Sequence, residues 1–361
     1  MKKTFTMLVS ILAMISLLDQ SVMGLLSWAE SNGKLGSLVR YFEYGRSVPG
    51  KLAKWEDNPD NLYNLYDLAW RGEIIDASTH SFDAEQENPR PVIRSYGMSF
   101  VDNILLAAKE DNPDLTLDMH SGPSAPPNFT FALFQDDIAN RRDGDIAVFG
   151  ILSSSVSGLA AMSNRTWAFE QPAPFTYPVY HLVDGALHRM EPLINSGDAE
   201  RSLRYRPFVF DAWTEQLSNE DQFYFSATFG ATWLDFSPFA RLVRRSFAQA
   251  HVTQVQENIR NGSYPCEEVL QLMITDFART ARQNGQRPVV MLIQSRDPDD
   301  LDLLEIAKPV FEKFDIPYLA TAEHFDPRYA SGFLADGHYK PEVDKQFAAA
   351  FAELLGSLPA N

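Results

Sequence analysis

Pro91-Val92-Ile93-Arg94-Ser95-Tyr96-Gly97-Met98-Ser99-Phe100 is the stretch whose reading decides the fold. An apolar run closes on Gly97 and passes at once into Val101, Ile104, Leu105 and Ala108, which share one helix face until Asn112-Pro113 stops it. The chain repeats this phrase. Leu115-Thr116-Leu117, Asp145-Ile146-Ala147-Val148-Phe149, Pro288-Val289-Val290-Met291-Leu292-Ile293 and Ile316-Pro317-Tyr318-Leu319 are further short apolar runs, each followed by a polar turn and a helical pattern. Such alternation writes a parallel sheet with crossover helices, so the expected fold class is α/β, a three-layer α/β/α sandwich with a mostly parallel sheet over 91–361. Pro341 suits a first helical turn, and Val343, Phe347, Phe351, Leu354 and Leu355 stripe the last helix. Residues 160–260, rich in Phe, Tyr, Trp and Pro, break the rhythm and read as an insertion between the third and fourth strands. Residues 30–90 read as a helical N-terminal segment packed on the main domain.

Composition narrows the function classes. With 361 residues, 45% hydrophobic and 22% charged, the chain can bury a large core. Lys and Arg total 31 against 48 Asp and Glu, a formal charge of -17 that excludes an electrostatic grip on nucleic acid. Cys266 is the only cysteine, so neither an intramolecular disulfide nor a thiolate zinc cluster can form. The histidines, His181 and His188 among them, show no metal-ligand spacing, and no Gly-x-Gly-x-x-Gly or Walker-type loop occurs. No metal or cofactor is expected.

The N-terminus points to export. Lys2 and Lys3 precede a nearly all-apolar run from Thr4 to Leu18, and Asp19-Gln20 interrupts it. Val22-Met23-Gly24 and Ser27-Trp28-Ala29 are small-residue cleavage patterns, whereas Phe5 to Ala29 is long enough to remain as an anchor. Residues 1–29 are therefore a signal peptide or a membrane anchor, and either leaves the rest of the chain periplasmic or extracellular.

Two stretches carry candidate chemistry. Ser99 follows a strand and opens a helix, at the carboxyl end of the sheet where open α/β folds bind ligands and where free helix N–H groups favour an oxyanion. Its plain alternative is a helix cap. Leu334-Ala335-Asp336-Gly337-His338-Tyr339 precedes the last helix and supplies an imidazole base with a carboxylate two residues away, or else a solvated loop. In the insertion, Phe223-Tyr224-Phe225, Phe229, Trp233, Phe236 and Phe239 precede Arg241, Arg244 and Arg245. They read as core, or as a wall that stacks on sugar or meets a membrane.

Together these residues resemble the SGNH (GDSL-like) hydrolase superfamily. Gly97-Met98-Ser99 matches its Gly-x-Ser nucleophile motif, with Met98 where many members carry Asp, and Asp336-Gly337-His338 matches its C-terminal Asp and His. Ser121-Gly122-Pro123 stands at the second block. The third block, usually Gly-x-Asn-Asp, reads Gly150-Ile151-Leu152-Ser153-Ser154-Ser155, without Asn. The resemblance implies a flavodoxin-like strand order, Ser99 as nucleophile, His338 as base, Asp336 as orienter, and an oxyanion hole from the N–H groups of Ser99 and Gly122. Ser154, or Asn128 in its place, stands in for the missing Asn. It further implies an esterase acting on O-acyl, chiefly O-acetyl, groups of a carbohydrate or envelope polysaccharide. An O-acetyltransferase on the same site and a non-catalytic polysaccharide-binding or assembly protein are the alternatives.

Overall fold

A computed structural model describes residues 2–56, 70–83, 91–122, 125–203, 207–230, 232–297 and 300–358. Parts of the segment expected to be helical over 30–90, and Pro123 of the second block, lie outside them. Each of the five expected runs is a strand: β1 (Val92–Gly97), β2 (Thr116–Ser121), β3 (Ile146–Leu152), β6 (Arg287–Ile293) and β7 (Tyr318–Ala320). They form one sheet in the order β2-β1-β3-β6-β7, with every pairing parallel. Parallel neighbours cannot be joined by tight turns, so each connection carries a helix or a longer excursion.

Side chains alternate across a strand, and β1 shows what each face meets. Tyr96 points to the face where Phe134 of helix Pro127–Asp136 packs edge-on against it, 5.3 Å between ring centres. Gly97 points to the other face, where helix Ser99–Asp111 places Val101. Helix Pro341–Ser357 lies beside that helix, and Cys266–Gln283 lies with Pro127–Asp136. The sheet is thus flanked by helices on both faces. On the Phe134 side, Phe131, Phe134, Phe149 and Phe277 interlock at centre distances of 4.7–6.0 Å.

A charged network lies under the same face. Arg94 is fully buried and bonds Asp118 on β2 and Asp145, just before β3, the latter at 3.1 Å. Asp145 also accepts the Val92 N–H at 2.9 Å. His120 stands between Asp118 (3.1 Å) and Asp137 (3.4 Å), and the Tyr96 hydroxyl donates to Asp137 at 2.8 Å. Burial alone would raise the Asp118 carboxyl, yet His120, Arg94 and Ser78 hold it below its ordinary value. These groups lock three strands in register, since stripping one partner would leave a buried charge unpaired.

Between β3 and β6, over the stretch read as an insertion, the chain forms two further strands. β4 (Val179–Val183) and β5 (Ala186–Met190) form an antiparallel hairpin closed by Asp184-Gly185, both at positive φ (51° and 75°). That is a two-residue turn, and an Asp-Gly pair between alternating residues is its usual signal.

The chain divides into two compact units. The α/β unit comprises Asp67–Met162, Phe175–Asp221 and Asn258–Asn361. The other comprises Met1–Tyr66, Ser163–Pro174 and Gln222–Glu257. Within this second unit, Asp235 is buried and accepts from Ser47 N–H (2.8 Å), Ser47 Oγ (2.6 Å) and Arg244, while Arg241 Nε donates to the Asp235 carbonyl at 2.6 Å. Only glycine fits at position 50, because an added Cβ would lie 2.1 Å from Asp235 Oδ2.

Two glycines decide how closely helix Ser99–Asp111 approaches the sheet. A methyl at Gly150 would lie 2.4 Å from Val101 Cγ2 and 3.3 Å from Gly97 Cα. Gly150→Ala should destabilise the protein by about 1–3 kcal/mol, as overpacked cores do. Val101→Ala in that background should recover part of the loss, read as a denaturant midpoint; no recovery would show that the clash lies elsewhere.

Candidate active site

All five parallel strands point their carboxyl ends the same way, and the candidate residues gather along that edge. β1 ends at Gly97, Met98 is extended (φ -144°, ψ 174°), and Ser99 is the first helical residue. Met98, not Ser99, occupies the cap position, and its carbonyl accepts from the N–H groups of Val101 (2.8 Å) and Asp102 (3.2 Å). The Ser99 hydroxyl instead meets His338 Nε2 at 2.7 Å. The N–H groups of Ser99 and Phe100 belong to the first helical turn, which has no intrahelical acceptors for them.

His338 is held by its loop. Gly337 turns the chain at φ +93°, and the Leu334 N–H donates to the His338 carbonyl at 2.7 Å. Phe100 stacks on the imidazole, 4.6 Å between centres and 21° between planes. The next residue, Tyr339, is buried and donates to the Gln294 carbonyl, which ties the loop to the end of β6. Burial pushes its phenol up to about 12.

Asp336 Oδ1 lies 3.3 Å from His338 Nδ1 and accepts the His338 backbone N–H at 3.1 Å. That backbone bond is the main reason its carboxyl sits below the ordinary value. A carboxylate only accepts, so Asp336 favours the tautomer with the ring proton on Nδ1, which leaves Nε2 as an acceptor facing the Ser99 hydroxyl. Asp336 is nevertheless 66% exposed, so water competes for it. A second carboxyl, Asp344, is buried in the first turns of the last helix; burial pushes it up to about 6, against the pull of His338.

The expected oxyanion donors fare differently. The Gly122 N–H donates to the Gly97 carbonyl at 3.2 Å, extending the β1–β2 ladder by one bond. Position 122 must be glycine for packing, since a Cβ there would lie 2.4 Å from the Phe129 ring. Asn128, the alternative donor, is not available for that role. It is fully buried, its amide donates to the carbonyls of Gly158 (3.2 Å), Ala161 (3.1 Å) and Pro178 (2.9 Å), and its Oδ1 takes the Phe129 N–H. It pins the 3-10 stretch Ser153–Ala160 and its end to the segment before β4 and has no donor left for a ligand. Of the serines after β3, Ser153 bonds Asp300 (3.1 Å) and the Ser295 N–H (2.8 Å), and Ser155 bonds the Leu152 carbonyl (2.9 Å). Ser154 is exposed, in the 3-10 stretch Ser153–Ala160.

No family model and no curated protein matches this chain.

Cys266 is buried and its thiol is pushed up to about 12, by burial first, so it is no nucleophile at neutral pH. Among the described residues no cluster of His, Cys, Asp and Glu could hold a metal ion. His181 pairs with Glu220 at 2.8 Å and faces His188 across the hairpin.

Sequence reading overlooked Asp102. Three residues after Ser99, it accepts from the Ser121 hydroxyl at 2.5 Å, joining helix Ser99–Asp111 to the end of β2. Burial pushes its carboxyl up to about 6, against the Ser121 bond. The folded value lies above the ordinary 3.8, so the native state holds more protons between the two and stability falls as pH rises through that window. Asp102→Asn should therefore stabilise the protein by about 1–3 kcal/mol at about pH 8 and hardly at all at about pH 4. Equal gains in denaturation at both pH values would refute the assignment.

Proposed function

We propose that this chain is an exported serine-dependent esterase of the SGNH type, acting on O-acyl groups of a carbohydrate. The observation that carries the reading is the 2.7 Å contact between Ser99 Oγ and His338 Nε2, made by a serine at a helix N-terminus. A hydroxyl is a weak nucleophile until a base within hydrogen-bond reach can take its proton.

In the proposed reaction Ser99 Oγ bonds to the ester carbonyl carbon as Nε2 takes the proton. Negative charge gathers on the former carbonyl oxygen, where the N–H groups of Ser99 and Phe100 and the positive end of the helix dipole favour it. Exposed Ser154 is the side chain left to serve as a third donor. Collapse breaks the bond to the sugar oxygen, which leaves with the proton from Nε2, and Ser99 keeps the acyl group. Water, deprotonated by His338, repeats the sequence and releases the carboxylic acid. Asp336 keeps the ring in the right tautomer, and Phe100 limits its tilt.

The preference for an O-acetyl sugar of the cell envelope comes from the family resemblance and from the apolar N-terminal helix, which is compatible with a signal or an anchor. One observation favours a second reading, a non-catalytic polysaccharide-binding protein. The Gly122 N–H and the Asn128 amide, both expected in the oxyanion hole, are committed to backbone carbonyls.

A fluorophosphonate should label the folded protein, and Ser99→Ala should abolish both the label and the hydrolysis of a small acetyl ester. His338→Ala should slow hydrolysis by at least about a thousandfold, and the double variant should be no slower than the worse single one, because the pair acts as a unit. Labelling that survives Ser99→Ala removes the nucleophile assignment, and a folded wild type that takes no label leaves the binding protein.

A further inference from the structure

The unit built around Asp235 carries an outward surface of the wrong chemistry for water. Helix Pro238–Arg260 turns Arg241, Arg244 and Ala248 inward, where they are buried. On its opposite side stand Phe239, Val243 and Phe247, spaced four residues apart, with Trp233 and Phe236 in the turn just before it. Trp233, Phe236, Phe239 and Phe247 are each 62–69% exposed. A helix on a soluble surface places charges there, and contiguous exposed aromatics mark a contact face. The stripe ends within the helix: beyond Ala250 the same side carries Thr253, Gln254 and Glu257.

What faces the stripe is indicated by the helix beside it. Helix Lys2–Ser31 is exposed on all sides through Leu18, with Phe5, Leu8, Leu12, Ile15 and Leu18 among its bare residues. From Asp19 on, one face packs. Leu26 and Ala29 are buried with Val39, and Val22 and Phe42 lie against them. Asp19 Oδ1 accepts the Phe239 N–H at 2.9 Å, and Arg241 reaches Met23 Sδ at 3.6 Å. Asp19, Val22, Met23, Leu26 and Ala29 follow a helical face repeat, so this part of the helix belongs to the folded unit. Cleavage after Gly24 would remove Asp19, Val22 and Met23 from it; cleavage after Ala29 would remove the whole face.

We infer that this unit is a membrane-docking module: the N-terminal helix is retained as an anchor, and the Trp233, Phe236, Phe239, Val243 and Phe247 surface rests in the bilayer interface beside it. The hydrogen bond from the Phe239 N–H to Asp19 fixes where the two apolar surfaces meet. Asp19 is too polar for the hydrocarbon core, so it marks the level at which the span ends. The aromatic turn and the first turn of helix Pro238–Arg260 sit at that level, where Trp and other aromatic rings collect at membrane surfaces. The seventeen or so residues before Asp19 span about 25 Å as a helix, close to the thickness of a hydrocarbon core. This docking is independent of the chemistry at Ser99.

The test uses the full chain in phosphatidylcholine nanodiscs, prepared with and without lipid brominated near the headgroup. The chain has six tryptophans, so wild type is compared with Trp233→Phe, a conservative change at an exposed site. Brominated lipid should quench wild-type emission more than the variant's, and the part of the emission lost in Trp233→Phe should lie to the blue of exposed tryptophan. The mature N-terminus, sized by mass spectrometry, should precede Thr4. Equal quenching of both proteins overturns the proposal, as does a second copy covering the stripe, seen as a doubled mass with Trp233 unquenched. A mature chain starting after Gly24 or Ala29, or one not retained in the discs, overturns it as well.

Discussion

The close approach of Gly97 and Gly150 under Val101 is the constraint on which the α/β unit turns. β1 and β3 are neighbours in the sheet, and with no side chain at either glycine the helix that follows β1 can lie directly on the strand ends. That closeness sets the first helical turn at the carboxyl edge, so Ser99 emerges there with its N–H and that of Phe100 unpartnered within the helix. A larger residue at either glycine would lift the helix, and with it Ser99, away from the loop that carries His338. Beneath the opposite face the Arg94 network holds the same strands in register, so the site rests on elements fixed from both sides.

The site itself combines rigid and loosely held parts. Ser99 is set by a helix start, and His338 by a glycine turn, a stacked Phe100 and the buried Tyr339. Asp336 is the weak member, exposed and 3.3 Å from the ring. Orientation of the imidazole therefore leans on packing more than on the carboxylate. Where the resemblance implies side-chain and glycine donors for an oxyanion, the chain has turned Gly122 and Asn128 to holding its own backbone. In the proposed reaction electrostatic help falls to the helix start, which supplies it without any particular side chain.

The five strand runs, the helix that follows the first, and the pairing of a post-strand serine with a late Asp-Gly-His are all legible along the chain, because each is a local pattern of period or punctuation. The hairpin over 179–190 has a local signal too, the Asp184-Gly185 turn, set within the aromatic-rich insertion. Asn128 misled because it lies close in sequence to Gly122, and nearness along the chain says nothing about which way an amide turns. Asp102 and Asp344 were silent: a carboxylate near a helix start looks like any other first-turn acid until burial is known.

By itself, then, the sequence determined the α/β alternation, the apolar N-terminal helix, and which residue types stand at the ends of strands, since hydrophobic periodicity and turn chemistry act over a few residues. The tertiary structure decided the rest. The strand order, the 2.7 Å meeting of residues 239 positions apart, the commitment of Asn128 and Gly122 to backbone, and the gathering of 163–174 and 222–257 with the N-terminal segment all depend on long-range packing. Such contacts are settled by which surfaces exclude water together, and that is a property of the folded whole rather than of any stretch of it.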